Sequence, residues 1–143
     1  MARIWNVAHR GASADRPENT LAAFELAIAQ GADAIEADVR ATADGALVVM
    51  HDPMLDRTTD GTGPLRVLTL AQVSRLDAGG GERVPTVEQV LELARGRVRV
   101  NLDLKELEVA EPAVRMVREA GMLDSVTFIS FLPEVWDVLE RIA

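Results

Sequence analysis

Two strand-length segments, AIEADVR (residues 34–40) and VNLDLK (residues 100–105), constrain this chain more than anything else in it. Side chains alternate along a strand, so Glu36 and Asp38 share one face of the first, and Ile35, Ala37 and Val39 take the other. In the second segment Asn101, Asp103 and Lys105 oppose Leu102 and Leu104. A parallel strand covered on both faces is a continuous apolar run, and these two are not. One such strand alone is an ordinary half-exposed sheet face. Two of them imply that helices pack on the apolar faces while the charges converge on the opposite side, which in a closed barrel is the interior. Charges buried there without partners cost many kcal/mol, so a cation or an anionic ligand is the natural compensation.

The surrounding segments supply the helices. Residues 4–8 have the look of a short buried strand, and residues 17–29 of a helix with Asn19 and Thr20 as cap candidates and Gly31 at its end. Residues 34–40 and 46–50 are strands joined by TADG, a tight-turn signal. Thr86 and Gln89 form a capping box for a helix running to about Arg95, and residues 98–104 are the next strand. A helix over 111–120, a strand over 126–130 and a helix from Pro133 complete the alternation. Residues 52–84 are irregular and insertion-like, with GTG, GGG and one short helix over 70–76 opened by Thr69, and are the expected mobile region. The order of elements predicts an α/β fold with a mainly parallel sheet.

Composition narrows the chemistry. The chain has no cysteine, so thiol nucleophiles and thiolate metal sites are excluded, and a metal must be held by oxygen and imidazole. A net charge of -8 repels nucleic-acid phosphates and anionic lipid. No apolar run approaches the roughly 18 residues of a membrane span, and the amino end lacks a signal-peptide core, so the expected location is cytoplasmic.

Glu36, Asp38 and Asp103 make an all-oxygen set suited to Ca²⁺ or Mg²⁺, and Lys105 beside them suits a phosphate. A plain carboxylate–lysine salt bridge is the alternative for the same residues. The chain's 2 histidines, His9 and His51, both fall at strand ends, where α/β proteins form ligand sites, and make a candidate acid/base pair. Arg10 offers a guanidinium fork for phosphate oxygens, with a surface pair to Asp15 as its alternative. PENT (residues 17–20) is explained by proline in the first helical turn plus a cap.

HRG at residues 9–11, PENT, GAD at 31–33, EADV at 36–39, TADG, VVMHD at 48–52, RTT at 57–59 and NLDLK at 101–105 occur in that order. The chain thereby resembles the glycerophosphodiester phosphodiesterase family from His9 to about Phe131. The resemblance implies a (β/α)₈ TIM-barrel type, metal-dependent hydrolysis of glycerophosphodiesters to glycerol 3-phosphate and an alcohol, and a place in glycerol and lipid metabolism. It implies His9 and His51 as acid/base residues, Arg10 and Lys105 as phosphate ligands, and Glu36, Asp38 and Asp103 as ligands of a divalent cation, Ca²⁺ or Mg²⁺. At the third metal position the family usually has glutamate, one methylene longer than Asp103.

Such a barrel takes about 250 residues, and residues 1–143 hold about four βα units. The expectation is one domain forming a partial barrel with open sheet edges, associating as a homo-oligomer or with a complementing barrel half. The alternatives are an inactive or binding-only half-barrel and a related phospholipase acting on lysophospholipids or sphingolipids, against which the low aromatic content weighs.

Overall fold

The computed structural model describes residues 2–142. Its frame is a sheet ordered β1-β2-β4-β5, with β1 at Val7–His9, β2 at Ala34–Ala41, β4 at Arg99–Leu104 and β5 at Val126–Ile129. These four strands are parallel, and β3 (Leu47–Val49) pairs antiparallel with the far end of β2. β4 holds one edge of β2 from Ala34 to Val39; β1 and then β3 share the other edge. The fold class expected from the alternation, parallel α/β of barrel type with part of the barrel present, is the one observed.

Helices α1 (Leu21–Ala29), α3 (Val87–Ala94), α4 (Ala110–Glu119) and α5 (Pro133–Ile142) lie on the apolar face. Phe24, Val90 and Val117 from these helices join Ile35, Ala37, Val39, Leu102 and Leu104 from the strands in one buried cluster. Full burial of each large side chain contributes on the order of 2 kcal/mol. The period-2 pattern therefore separates the two faces of β2 and β4 as the sequence predicts.

Local signals set most boundaries. Thr86 and Thr69 each close a capping box, with Gln89 and Gln72, so α3 starts at Val87 and the short α2 spans Leu70–Val73. Two expectations fail at the amino end. The first helix begins at Leu21, not Pro17, because Thr20, one of the two cap candidates, caps it by accepting the Ala23 amide. The first strand begins at Val7, since β2 offers it partners only from Ala34 onward, and Ile4 lies 92% exposed.

Residues 52–84 are more ordered than their composition predicts. Leu55, Leu65, Val73, Ala78 and Val84 bury a second apolar cluster under Val48 and Met50, and Met54 bridges to Pro64. Among the described residues no helix is long and apolar enough to cross a membrane.

Candidate active site

The site lies on the polar face of β2 and β4. Register places Glu36 opposite Asn101 and Asp38 opposite Asp103, so the carboxylates of both strands meet. Ligand oxygens of Glu36, Asp38 and Asp103 fall within 4.8 Å of one another. Asp38 and Asp103 are almost wholly buried, at 0% and 4% exposure.

Lys105 Nζ donates to Asp103 Oδ2 at 2.8 Å and stands 3.4 Å from Asp38 Oδ1. The carboxylate–lysine bridge is thus present, yet it leaves the cluster unsatisfied: Asp38 Oδ1 and Asp103 Oδ1 are buried with no hydrogen-bond partner. Orphaned buried acceptors cost about 1–3 kcal/mol each, more when charged, and two of them pointing into one acidic cluster fit a hard cation. Three carboxylates against Arg10 and Lys105 also leave one excess negative charge, which a divalent cation turns into one positive.

The loop after β1 supplies the next groups. Arg10 and Gly11 take left-handed backbone angles, φ 62° and 79°, which turn the chain sharply out of the strand. Only glycine fits at 11, because a Cβ there would meet the Ala23 backbone carbon at 2.7 Å. The Arg10 amide donates to Glu36 O at 3.0 Å, fixing the turn against β2. Its guanidinium does not pair with Asp15 as the alternative expectation had it. It donates to Glu18 Oε2 at 2.6 Å and lies 3.3 Å from Asp38 Oδ2, because the turn directs it inward.

His9 Nε2 lies 3.4 Å from Glu36 Oε1, and the imidazole is largely exposed. His51, at the end of β3, holds its Nδ1 2.7 Å from Asp52 Oδ1, which orients the ring. Its carbonyl accepts Arg40 Nε at 2.8 Å. The backbone beside it is tied to the metal-type cluster, since the Met50 amide donates to Asp38 O at 3.0 Å.

Four side chains here are not expected in the site from the sequence, which offers Asn19 only as a cap candidate. Asn19, buried and left-handed at φ 57°, donates Nδ2 to Asp38 Oδ2 at 2.9 Å, so PENT is not merely a helix cap. Glu18 accepts from both Arg10 and Arg57. Arg57 also donates Nε to Asp52 Oδ2 at 2.9 Å and Nη2 to Asp52 Oδ1 at 3.0 Å. An unbroken chain of ion pairs therefore runs from His51 through Asp52, Arg57, Glu18 and Arg10 to Asp38.

The Arg57 fork, followed by His51, holds the Asp52 carboxyl well below the usual carboxylate range. Burial would raise Glu18, but Arg57 and Arg10 outweigh it and hold that carboxyl low. The bonds to Asp52 and then Glu18 push Arg57 up in turn. The sequence signal that could have found this network is RTT following the HD pair, a cation close behind an acid with no other assigned use.

A family model described as "Glycerophosphoryl diester phosphodiesterase family" matches residues 9–133. A glycerophosphodiester phosphodiesterase of Caldanaerobacter subterraneus subsp. tengcongensis is 41% identical over 138 residues, covering 87% of this chain and 57% of that protein. The crystal structure of a glycerophosphodiester phosphodiesterase from Agrobacterium tumefaciens superposes with a TM-score of 0.92 at 44% identity, covering 99% of this chain and 64% of that one. A phosphodiesterase of Oleispira antarctica, solved with the product sn-glycerol-3-phosphate, gives a TM-score of 0.92 at 33% identity, covering 97% and 62%. The chain spans about half the length of the curated relatives it matches.

Proposed function

The chain belongs to the glycerophosphoryl diester phosphodiesterase family, and from that premise we propose that its site hydrolyses glycerophosphodiesters to glycerol 3-phosphate and an alcohol. The observation that carries this reading is the buried carboxylate cluster of Glu36, Asp38 and Asp103 beside Arg10 and Lys105, in which Asp38 Oδ1 and Asp103 Oδ1 accept no hydrogen bond. The salt bridge to Lys105 leaves both acceptors without a hydrogen bond, Asp38 Oδ1 having only the 3.4 Å ion contact.

Glu36, Asp38 and Asp103 are the residues that would hold a divalent cation, whose chemistry when bound would be to withdraw charge from phosphate oxygens. Ca²⁺ suits the short Asp103 better than Mg²⁺, since its shell is flexible and Mg²⁺ demands near-octahedral geometry. Arg10 and Lys105 bind the phosphodiester, whose single negative charge matches the one positive charge of the loaded site. Neither cation is free to leave: Glu18 anchors Arg10, and Asp103 anchors Lys105. Both present donors where charge grows on phosphate oxygens.

His9 takes the proton of the nucleophile, either water, or the substrate's own glycerol hydroxyl, which closes a cyclic phosphate that water then opens to glycerol 3-phosphate. His51 gives a proton to the leaving alkoxide from Nε2, its Nδ1 being held by Asp52. The glycerol 3-phosphate found with the Oleispira antarctica phosphodiesterase supports the same product here.

The test is release of glycerol 3-phosphate from glycerophosphocholine by the purified chain with Ca²⁺, with Mg²⁺ and with chelator, next to His51→Ala. Turnover with metal, lost with chelator and reduced at least about 100-fold in His51→Ala, is expected. Full turnover by a folded His51→Ala protein overturns the role given to His51.

A further inference from the structure

Beside the candidate active site a cleft of about 300 Å³ opens between Arg40, Pro53, Met54, Pro64, Arg66 and Glu106. Its polar members adjoin residues already placed in the hydrolytic machinery. Arg40 follows Asp38 by two positions on the same face of β2, Glu106 follows Lys105, and Pro53 and Met54 follow His51-Asp52. Arg40 also donates Nε to the His51 carbonyl at 2.8 Å, which puts the cleft on the His51 side of the site.

The charges of the cleft are incompletely used. Arg40 is only 14% exposed, yet beyond the His51 carbonyl its closest carboxylate is Glu106, at 4.0 Å from Nη1. A guanidinium with one hydrogen bond and one loose carboxylate partner has Nη donors to spare, and these still reach solvent. Arg66, at the rim, is exposed and makes no ion pair among the described residues. Glu106 accepts the Ala41 amide through Oε1 at 3.0 Å, and no hydrogen bond to Oε2 occurs among the described residues. Two cations and one acid thus line a space of small-molecule size, with unused donors on the cations and an unused acceptor on the acid.

We infer that this cleft is the subsite for the leaving alcohol, and that it selects an alcohol carrying both a carboxylate and an ammonium group, as a serine ester does. The carboxylate is received by Arg40 and Arg66 and the ammonium by Glu106. The inference rests on the hydrolytic reading for the place of the phosphate, and the position of His51 as proton donor to the leaving group puts the alcohol on this side. A permanently cationic alcohol such as choline meets two guanidinium groups against one carboxylate and is disfavoured. A site that binds a charged group rejects an analogue that lacks it, because the bound analogue displaces water from the donors without pairing them.

Glycerophosphoserine and glycerophosphoethanolamine differ only in the carboxylate, so their ratio isolates the Arg40 and Arg66 contribution. Binding is followed by calorimetry in Ca²⁺ and hydrolysis by release of glycerol 3-phosphate, on the wild type, Arg40→Gln and Arg66→Gln, each checked for folding by thermal melting. The wild type is expected to prefer the serine ester roughly tenfold, Arg40→Gln to lose that preference, and Arg66→Gln, at an exposed position, to reduce it about threefold. The ratio is the readout because losing Arg40 also loosens the His51 backbone and slows both substrates. If neither ester is hydrolysed but calorimetry gives the preference and its loss, the hydrolytic reading falls and the cleft stands as the binding site of the alcohol moiety alone. No preference in the wild type, a ratio untouched in both variants, or no binding of either ester overturns the inference.

Discussion

Asn19 is the residue through which the site can be tested without touching a group assigned to chemistry. Its Nδ2 donates to Asp38 Oδ2 at 2.9 Å, both side chains are buried, and its backbone is left-handed at φ 57°. Replacement by glycine removes the hydrogen bond but suits the backbone, and a hydrogen bond to a charged group contributes about 1.5–3 kcal/mol. Alanine loses the same bond and adds about 1 kcal/mol for a Cβ in the left-handed region. Asn19→Asp keeps shape and backbone tolerance but sets an acceptor against an acceptor, and breaking a buried charged arrangement in this way costs about 3–5 kcal/mol. Urea unfolding in chelator should therefore rank wild type above Asn19→Gly, then Asn19→Ala, with Asn19→Asp at or below alanine. Adding Ca²⁺ should stabilise Asn19→Asp more than the wild type, because the cation then neutralises one carboxylate more. Asn19→Asp as stable as the wild type in chelator, or an equal gain from Ca²⁺ in both, refutes the assignment of Asn19 as the donor that holds Asp38 for the cation.

Four further outcomes are expected. Gly11→Ala drives a Cβ to 2.7 Å from the Ala23 backbone at φ 79° and should cost about 3 kcal/mol or more in urea unfolding, with loss of ordered signals for His9 and Arg10 by NMR. Arg57→Gln removes the partner that chiefly lowers Asp52 and that, against burial, helps lower Glu18. Because both folded values are depressed, their stabilisation is present above the unfolded values near about 4 and is lost as pH falls below them. The variant should thus lie about 1 kcal/mol below the wild type at neutral pH, after allowing for half-exposed Arg57, and the gap should close as pH is lowered from about 4 toward the depressed folded values. Asp103→Asn removes a charge from the cluster and should weaken Ca²⁺ binding at least about tenfold by calorimetry. Phe24→Ala empties a fully buried position under β2 and should cost about 3–5 kcal/mol in urea unfolding without a direct loss of Ca²⁺ affinity while the protein is folded.

The parts of the site legible in the sequence are those whose geometry is fixed by the period of a strand. Glu36, Asp38 and Asp103 had to share a face once β2 and β4 were neighbours with both apolar faces turned to the helices, and the observed register Asp38 opposite Asp103 is the smallest step beyond that. TADG, Thr69 and Thr86 were legible for a similar reason, since turn and cap chemistry act within four residues. What was not legible depends on contacts the local sequence does not encode. Asparagine can cap a helix or take a left-handed turn, and PENT alone points to the cap; the buried Asp38 oxygen, 19 positions away, selects the turn. Glu18 likewise reads as a solvent-facing acid until a residue 39 positions on arrives beside it. The apolar run at residues 4–8 predicted a longer first strand, but a strand needs a partner as well as hydropathy, and β2 begins only opposite Val7. The two errors share one origin. Between β1 and α1 the path of the chain is decided by what β2 offers, backbone partners at Ala34 and a buried carboxylate at Asp38. A loop that answers to a neighbouring strand in this way positions Arg10 more firmly than its own turn residues could, since the Arg10 amide, its guanidinium and the Asn19 side chain are all anchored on β2.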